Sequence, residues 1–194
     1  PLGIRPLVMG KLGDATVFAS ETVALDVVGA DFVREVEPGE VVTITDKGIE
    51  SSRIVPKEDF RPAYCIFEQI YFARPDSNVI GHSVYQYRKE LGRILAREHP
   101  VPADMIVPVL DSGNAAALGY AEESGIPYET ALIRNQYVKR TFIEPSASIR
   151  DFRVRIKHNA PKNLVGGKRV VLVEDSIVRG TTLLKLVGLI RQAG

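Results

Sequence analysis

The sequence predicts an α/β fold, a parallel sheet with helices on both faces, preceded by a mostly antiparallel β piece. Three observations carry this. Val170-Val171-Leu172-Val173 is a run of four apolar residues, three of them β-branched, as in a parallel strand buried on both faces. From Ser83 onward β-like and helical patterns alternate, the order a parallel sheet requires. Before position 55 the chain instead holds short β-like runs separated by turn signals.

Taken in order, the early runs are Pro6 to Met9, Thr16 to Ala19, Phe32 to Val36, Val41 to Thr45 and Ile49 to Ile54, the last two joined by the turn Asp46-Lys47-Gly48. Ser20 to Asp26 reads as one short capped helix. Residues 55–62 are polar and bracketed by Pro56 and Pro62, which suits a linker. Ser83 to His99 places Val84, Tyr87, Leu91, Ile94 and Leu95 at helical spacing, and Asp104 to Leu110 reads as a buried strand. After the strand at 170–173, Leu183, Leu186, Val187 and Ile190 again have helical spacing, with Gly194 as a C-cap. The expected organisation is therefore 1–54, a linker at 55–62, and a second domain from 63 to 194. Both ends read as cut: Pro1 lies inside a turn feeding a strand, and Gly194 falls where a parallel domain enters its next strand, so an internal piece of a longer protein is expected.

Bulk properties exclude several classes. With 45% hydrophobic and 25% charged residues over 194 positions, the chain has ordinary globular composition. A net charge of +1 without a basic block argues against nucleic acid as a partner, so anion binding must be local. The single cysteine cannot form an internal disulfide and suits a reducing compartment. No apolar stretch approaches the roughly 20 residues that span a bilayer and no signal peptide opens the chain, so a cytoplasmic protein without a membrane partner is expected.

The chemistry concentrates after the strand at 170–173. Glu174 and Asp175 come first, then Ser176, Ile177, Val178, Arg179, Gly180, Thr181 and Thr182, then the helix. Backbone N–H groups from Ser176 to Thr182 can face an anion, aided by a helix N-terminus and by the hydroxyls of Ser176, Thr181 and Thr182. This describes a monophosphate cradle. Two acids beside it would repel a phosphate unless they serve sugar hydroxyls or a divalent metal with oxygen ligands. A phosphorylated ribose with Mg²⁺ meets both needs.

A second strand, turn and helix start runs from Val107 to Tyr120. There Asp111, Ser112 and Gly113 put a carboxylate, a hydroxyl and a permissive backbone at a strand's C-terminal edge, where open α/β sheets bind ligands. Alone this is an ordinary capped turn; beside the cradle it is a candidate pyrophosphate loop. Arg134 to Asp151 is basic and polar without a sustained period, and reads either as a solvated surface loop or as a segment whose cations Arg134, Lys139, Arg140 and Arg150 close over a polyphosphate. His82, His99 and His158 have no metal spacing and read as structural or surface residues.

The stretch around Glu174-Asp175 resembles the phosphoribosyl pyrophosphate (PRPP) motif of type I phosphoribosyltransferases. With Cys65 to Ser77, Asp111-Ser112-Gly113 and Arg134 to Ile143 in the same order, the chain resembles the amidophosphoribosyltransferase family over essentially all its residues. Gly3 to Leu7, Ala19 to Thr22 and Val36 to Glu40 look like the end of that family's N-terminal-nucleophile glutaminase domain. The resemblance implies the first committed step of purine nucleotide synthesis, in which ammonia from glutamine displaces pyrophosphate from PRPP to give phosphoribosylamine. It implies Mg²⁺ on Ser112, Glu174 and Asp175, the 5′-phosphate on Ser176 to Thr182, and Arg134 and Tyr137 in a loop over PRPP. It also implies purine nucleotides as feedback inhibitors and a homo-oligomer. Leu110 departs from the family's usual proline, Arg134 from a frequent lysine and Glu174 from the commoner aspartate; the last two keep charge sign and change reach.

Cys65 matches an iron–sulfur ligand in the family's cluster-bearing branch. One thiol cannot hold a [4Fe–4S] cluster, so three further ligands would lie outside this chain; the alternative is a small buried residue at a strand start. The family's glutaminase nucleophile is an N-terminal cysteine activated by its own amine, and no residue here matches it. Two other readings stay open. A non-catalytic PRPP-binding regulator would carry a DNA-binding segment or basic face, and another type I phosphoribosyltransferase would carry a base-binding hood and no glutaminase remnant.

Overall fold

The computed structural model describes residues 2–135 and 158–194. By their contacts these group into two units, residues 1–87 and 88–194. In the first, β1 (Val8–Leu12) pairs antiparallel with β2 (Ala15–Ala19) on one side and β3 (Asp31–Glu35) on the other. α1 (Thr22–Val28) closes over this sheet through Leu25, which packs with Val8 and Ala30. The sheet admits the helix closely at Gly10: a Cβ there would sit 3.0 Å from both Leu25 methyls and 2.9 Å from the Asp31 carbonyl. β4 (Glu40–Thr45) and β5 (Gly48–Arg53) form the predicted hairpin about Asp46-Lys47.

The helix start differs from expectation. α1 begins at Thr22 with no side-chain cap, because the local acceptor serves a non-local partner. Glu21 Oε2 accepts from the Arg74 backbone N–H and the Ser77 hydroxyl, each at 2.8 Å, while Thr22 Oγ1 accepts from the Asn78 N–H at 2.8 Å. Residues 74–78 are thereby bound to α1. They lead into a short hairpin, β6 (Asn78–Val79) with β7 (His82–Ser83), that the pattern of the sequence did not announce.

In the second unit, β8 (Met105–Pro108) and β11 (Val170–Val173) pair in parallel, from Met105 opposite Val170 to Pro108 opposite Val173. Tyr128 bridges Ile106 on the far side, again in parallel. Alternate residues of β8 face opposite ways. Met105 and Val107 join Leu132, Val165 and Leu186 of one core, and Ile106 joins Ala96, Ala117, Tyr120 and Val173 of the other. The first is covered by α4 (Lys162–Val165) and α5 (Thr181–Ala193), the second by α2 (Val84–Glu98) and α3 (Asn114–Ser124). Helices thus lie on both faces of β8, which is buried throughout, whereas β11, expected to be buried on both faces, fully buries only Val173. β9 (Ile133–Arg134) and β10 (His158–Asn159) add an antiparallel pair.

α2 turns differently from its apolar pattern. Leu95 is exposed, and the buried line runs Val84, Arg88, Gly92, Ala96. The reason is backbone proximity: a Cβ on Gly92 would lie 1.9 Å from the Ala116 carbonyl oxygen, and one on Gly119 1.8 Å from that of Lys89. Two glycines let α2 and α3 touch main chain to main chain, and bulky residues are turned aside.

Candidate functional site

The candidate site follows from the register of β8 and β11. The strands end together, and Val109 N–H donates to the Val173 carbonyl at 2.8 Å, so the loops after them leave from the same sheet edge. Gly113 brings them into contact. It has an ordinary helical φ of −76°, so its role is room and not left-handed freedom. A Cβ there would sit 2.5 Å from the Val173 carbonyl oxygen and 2.9 Å from that of Val109.

This approach brings Ser112 to Glu174: its Oγ donates to Glu174 Oε1 at 3.3 Å, and the Asp175 N–H donates to the same oxygen at 3.0 Å. Ser176 Oγ donates to Asp175 Oδ1. Burial pushes the Glu174 carboxyl above the ordinary carboxylate range and the negative Asp175 beside it adds to the push, while the two hydrogen bonds partly offset them. Excess negative charge on hard oxygen donors is what a divalent cation relieves. The oxygen atoms of Ser112, Glu174 and Asp175 are of the kind that such a cation takes as ligands. Among the described residues there is no group of three or more His, Cys, Asp or Glu that could hold a metal ion.

Beyond Ser176 the loop opens outward. Ile177, Val178 and Arg179 are exposed, Gly180 takes φ +68° at the entrance to α5, and Thr181 and Thr182 lie exposed in the helix's first turn, which has no side-chain cap. The anion-facing groups expected from the sequence thus stand at the start of a helix of 13 residues. Asp111, whose peptide bond to Leu110 is cis, is ion-paired with Arg134. Tyr137, Lys139, Arg140 and Arg150 lie outside the described residues.

Sequence reasoning missed two features. The Arg134–Asp111 pair joins residues far apart in sequence, and no local signal marks it. Asn114 Oδ1 is buried at the start of α3 with no partner among the described residues. His158 is buried in β10, directly opposite Arg134, which agrees with the structural alternative of its reading. Cys65 is half-buried. It does not open a strand; the chain after it forms a π-helical turn, Glu68–Phe72, whose Glu68 N–H donates to the Cys65 carbonyl at 3.0 Å. Glu68 is buried and paired with Arg5, whose guanidinium lies 4.7 Å from the Phe72 ring centre.

No family model matches the chain. Curated relatives do. The chain is 56% identical over 197 residues to an amidophosphoribosyltransferase of Rhizobium etli, 54% identical to the chloroplastic amidophosphoribosyltransferase 1 of Arabidopsis thaliana, and 53% identical to the amidophosphoribosyltransferase of Bacillus subtilis. Each match takes in 100% of this chain and 34% to 40% of the relative, so the chain spans about two-fifths of their length or less. A solved structure described as the allosteric regulatory enzyme of purine biosynthesis superposes with a TM-score of 0.91 at 53% identity, over 100% of this chain and 41% of that one. The Bacillus subtilis glutamine PRPP amidotransferase complexed with ADP and GMP gives 0.89 at 53% identity, over 99% of this chain and 42% of that one. In sequence and in fold alike, the whole of this chain is homologous to a segment of proteins named amidophosphoribosyltransferase.

Proposed function

We propose that the chain is the PRPP-binding part of an enzyme that makes 5-phosphoribosylamine, the first step of purine nucleotide synthesis. One observation carries the reading: two loops leaving one edge of a parallel sheet meet through Ser112 and Glu174, immediately ahead of a 13-residue helix whose first turn has no side-chain cap. In this reading backbone N–H groups from Ser176 to Thr182 hold the 5′-phosphate, and the Asp175 carboxylate accepts from the ribose hydroxyls. Asp111 to Gly113 form the pyrophosphate loop, and Arg134, with Tyr137, contacts PRPP. Ammonia attacks ribose C1 as pyrophosphate leaves, and Arg134 offsets the charge that develops on the leaving group. Ser112, Glu174 and Asp175 would hold Mg²⁺, which when bound supplies further neutralisation of the pyrophosphate.

The reaction is a pentosyl transfer, and the glutaminase nucleophile lies outside these 194 residues. Residues 1–54 then close the glutaminase domain, 55–62 connect, and 63–194 begin the phosphoribosyltransferase domain. The ammonia comes from glutamine, purine nucleotides act as feedback inhibitors, and the working enzyme is a cytoplasmic homo-oligomer. Among the described residues no helix is long and apolar enough to cross a membrane. Cys65 supplies one of four thiolates to a [4Fe–4S] cluster, the other three coming from elsewhere in the full-length protein.

The test is Asp175→Asn in the full-length protein. It removes one charge at constant size, and hydrogen bonds to charged groups are worth about 1.5–3 kcal/mol, so PRPP affinity measured by calorimetry with Mg²⁺ should fall about tenfold or more. Unchanged affinity would refute the assignment.

A further inference from the structure

The loop that carries Ser112 is placed by the helix it opens. Gly113 is the N-cap of α3, and the Ala117 N–H donates to the Gly113 carbonyl at 2.9 Å, so the loop and the helix's first turn move as one piece. The bond between the two site loops leaves little slack. Ser112 Oγ reaches Glu174 Oε1 at 3.3 Å, already long for a hydroxyl donor, so a small displacement of α3 changes how the loop meets the acids.

What sets the depth of that first turn lies outside the site, on α2. A Cβ on Gly92 would lie 1.9 Å from the Ala116 carbonyl oxygen, 2.7 Å from its carbonyl carbon and 2.9 Å from its Cα. All three are main-chain atoms, so no change of rotamer relieves the clash and a helix must shift. Ala116 stands only about 4.5 Å along the axis from Gly113, whereas Gly119, which meets Lys89, stands about 9 Å away. A push at Gly119 can turn α3 about its start, where the Gly113 N–H donates to the Val109 carbonyl at 2.9 Å. A push at Ala116 falls on the loop's own turn. The 5′-phosphate cradle belongs to α5, which packs in the other core, on the opposite face of β8, and is spared by either.

We propose that Gly92, which touches no substrate, is a positioning residue for the pyrophosphate loop: by letting α2 close on the first turn of α3 main chain to main chain, it fixes where Ser112 stands against Glu174. This rests on the reading of the site as one for PRPP.

The experiment uses the full-length protein with Mg²⁺, as wild type, Gly92→Ala and Gly119→Ala. PRPP affinity is measured by calorimetry, and ribose 5-phosphate, which offers the 5′-phosphate and no pyrophosphate, is titrated as its competitor. Gly92→Ala should weaken PRPP about tenfold or more and ribose 5-phosphate about twofold or less, since sub-ångström misplacement acts on the pyrophosphate end alone. Gly119→Ala, which also lowers the urea midpoint, should weaken PRPP about threefold or less. Ala96→Val is a milder push, from the same buried line of α2 against the core that Ala96 shares with Ala117. It should move the ratio of the two affinities in the same direction, and it decides the matter if Gly92→Ala does not fold. An unchanged ratio in the folded variants, an equal fall for both ligands, or a loss in Gly119→Ala as large as in Gly92→Ala would overturn the inference while wild-type PRPP binding keeps the reading of the site. Wild-type protein that binds no PRPP, or from which ribose 5-phosphate cannot displace it, would overturn both.

Discussion

At the residue scale, opposite ends of one strand pair are held by different chemistry. Where β8 and β11 begin, Asp104 accepts from the Arg169 backbone N–H at 2.7 Å and from its Nη2 at 3.0 Å. These bonds hold the Asp104 carboxyl at about 2, below its ordinary 3.8. A carboxyl depressed in the folded state adds stability above its unfolded value, and that stability is lost as pH falls toward the folded one. Asp104→Asn should therefore lower the urea midpoint at neutral pH, with the gap to wild type shrinking between about pH 4 and pH 2; a gap constant across that range would contradict the pairing. Where the strands end, Gly113→Ala would drive a methyl into the Val173 carbonyl. Overpacking of this kind costs about 1–3 kcal/mol, and here it also parts Ser112 from Glu174, so both melting temperature and PRPP affinity should fall. Ser112, Glu174 and Asp175 were legible because each sits in a local strand–loop–helix string whose chemistry is contiguous. The Arg134–Asp111 pair was not, because it depends on which strands the fold sets side by side.

At the element scale, the α2–α3 crossing shows where periodicity misleads. A pattern of large apolar residues marks a helix, and the helix at 84–98 is where that pattern predicts it. The face it buries was set by Gly92 and Ala96, since close approach of two backbones excludes leucine from the contact line. Gly119→Ala should destabilise by at least about 1–3 kcal/mol in chemical denaturation, and combining it with Gly92→Ala should cost less than the separate effects together, because the first methyl already forces the helices apart. Strict additivity would place the two glycines in independent contacts. Salt bridges across the same crossing, from Lys89 and Arg93 to Glu122 and from Arg97 to Glu123, each have at least one exposed partner and add little by comparison. The short pairs β6–β7 and β9–β10 were illegible for a different reason: two residues cannot display a period.

At the scale of the whole molecule, alternation of strands and helices after residue 83 and the hairpins before residue 55 were enough to predict both architectures, because each rests on patterns repeated over many residues. The composition break at 55–62 does not coincide with the division of contacts at 87–88, since hydrogen bonds from residues 74–78 to Glu21 and Thr22 draw that stretch toward the first unit. One prediction concerns the protein beyond this chain. Full-length protein purified without oxygen should contain iron and absorb in the visible, and Cys65→Ser should remove both; colourless, iron-free and active protein would leave Cys65 as no more than a half-buried thiol. The contact at Gly113 also bears on how such a site changes over evolutionary time. Because main chain meets main chain there, the spacing of the two loops does not depend on the side chains they carry. Residues such as Asp111, Glu174 and Ile177 can be exchanged one at a time while the frame stays in place, so descent with modification can retune what is bound without first having to rebuild where it binds.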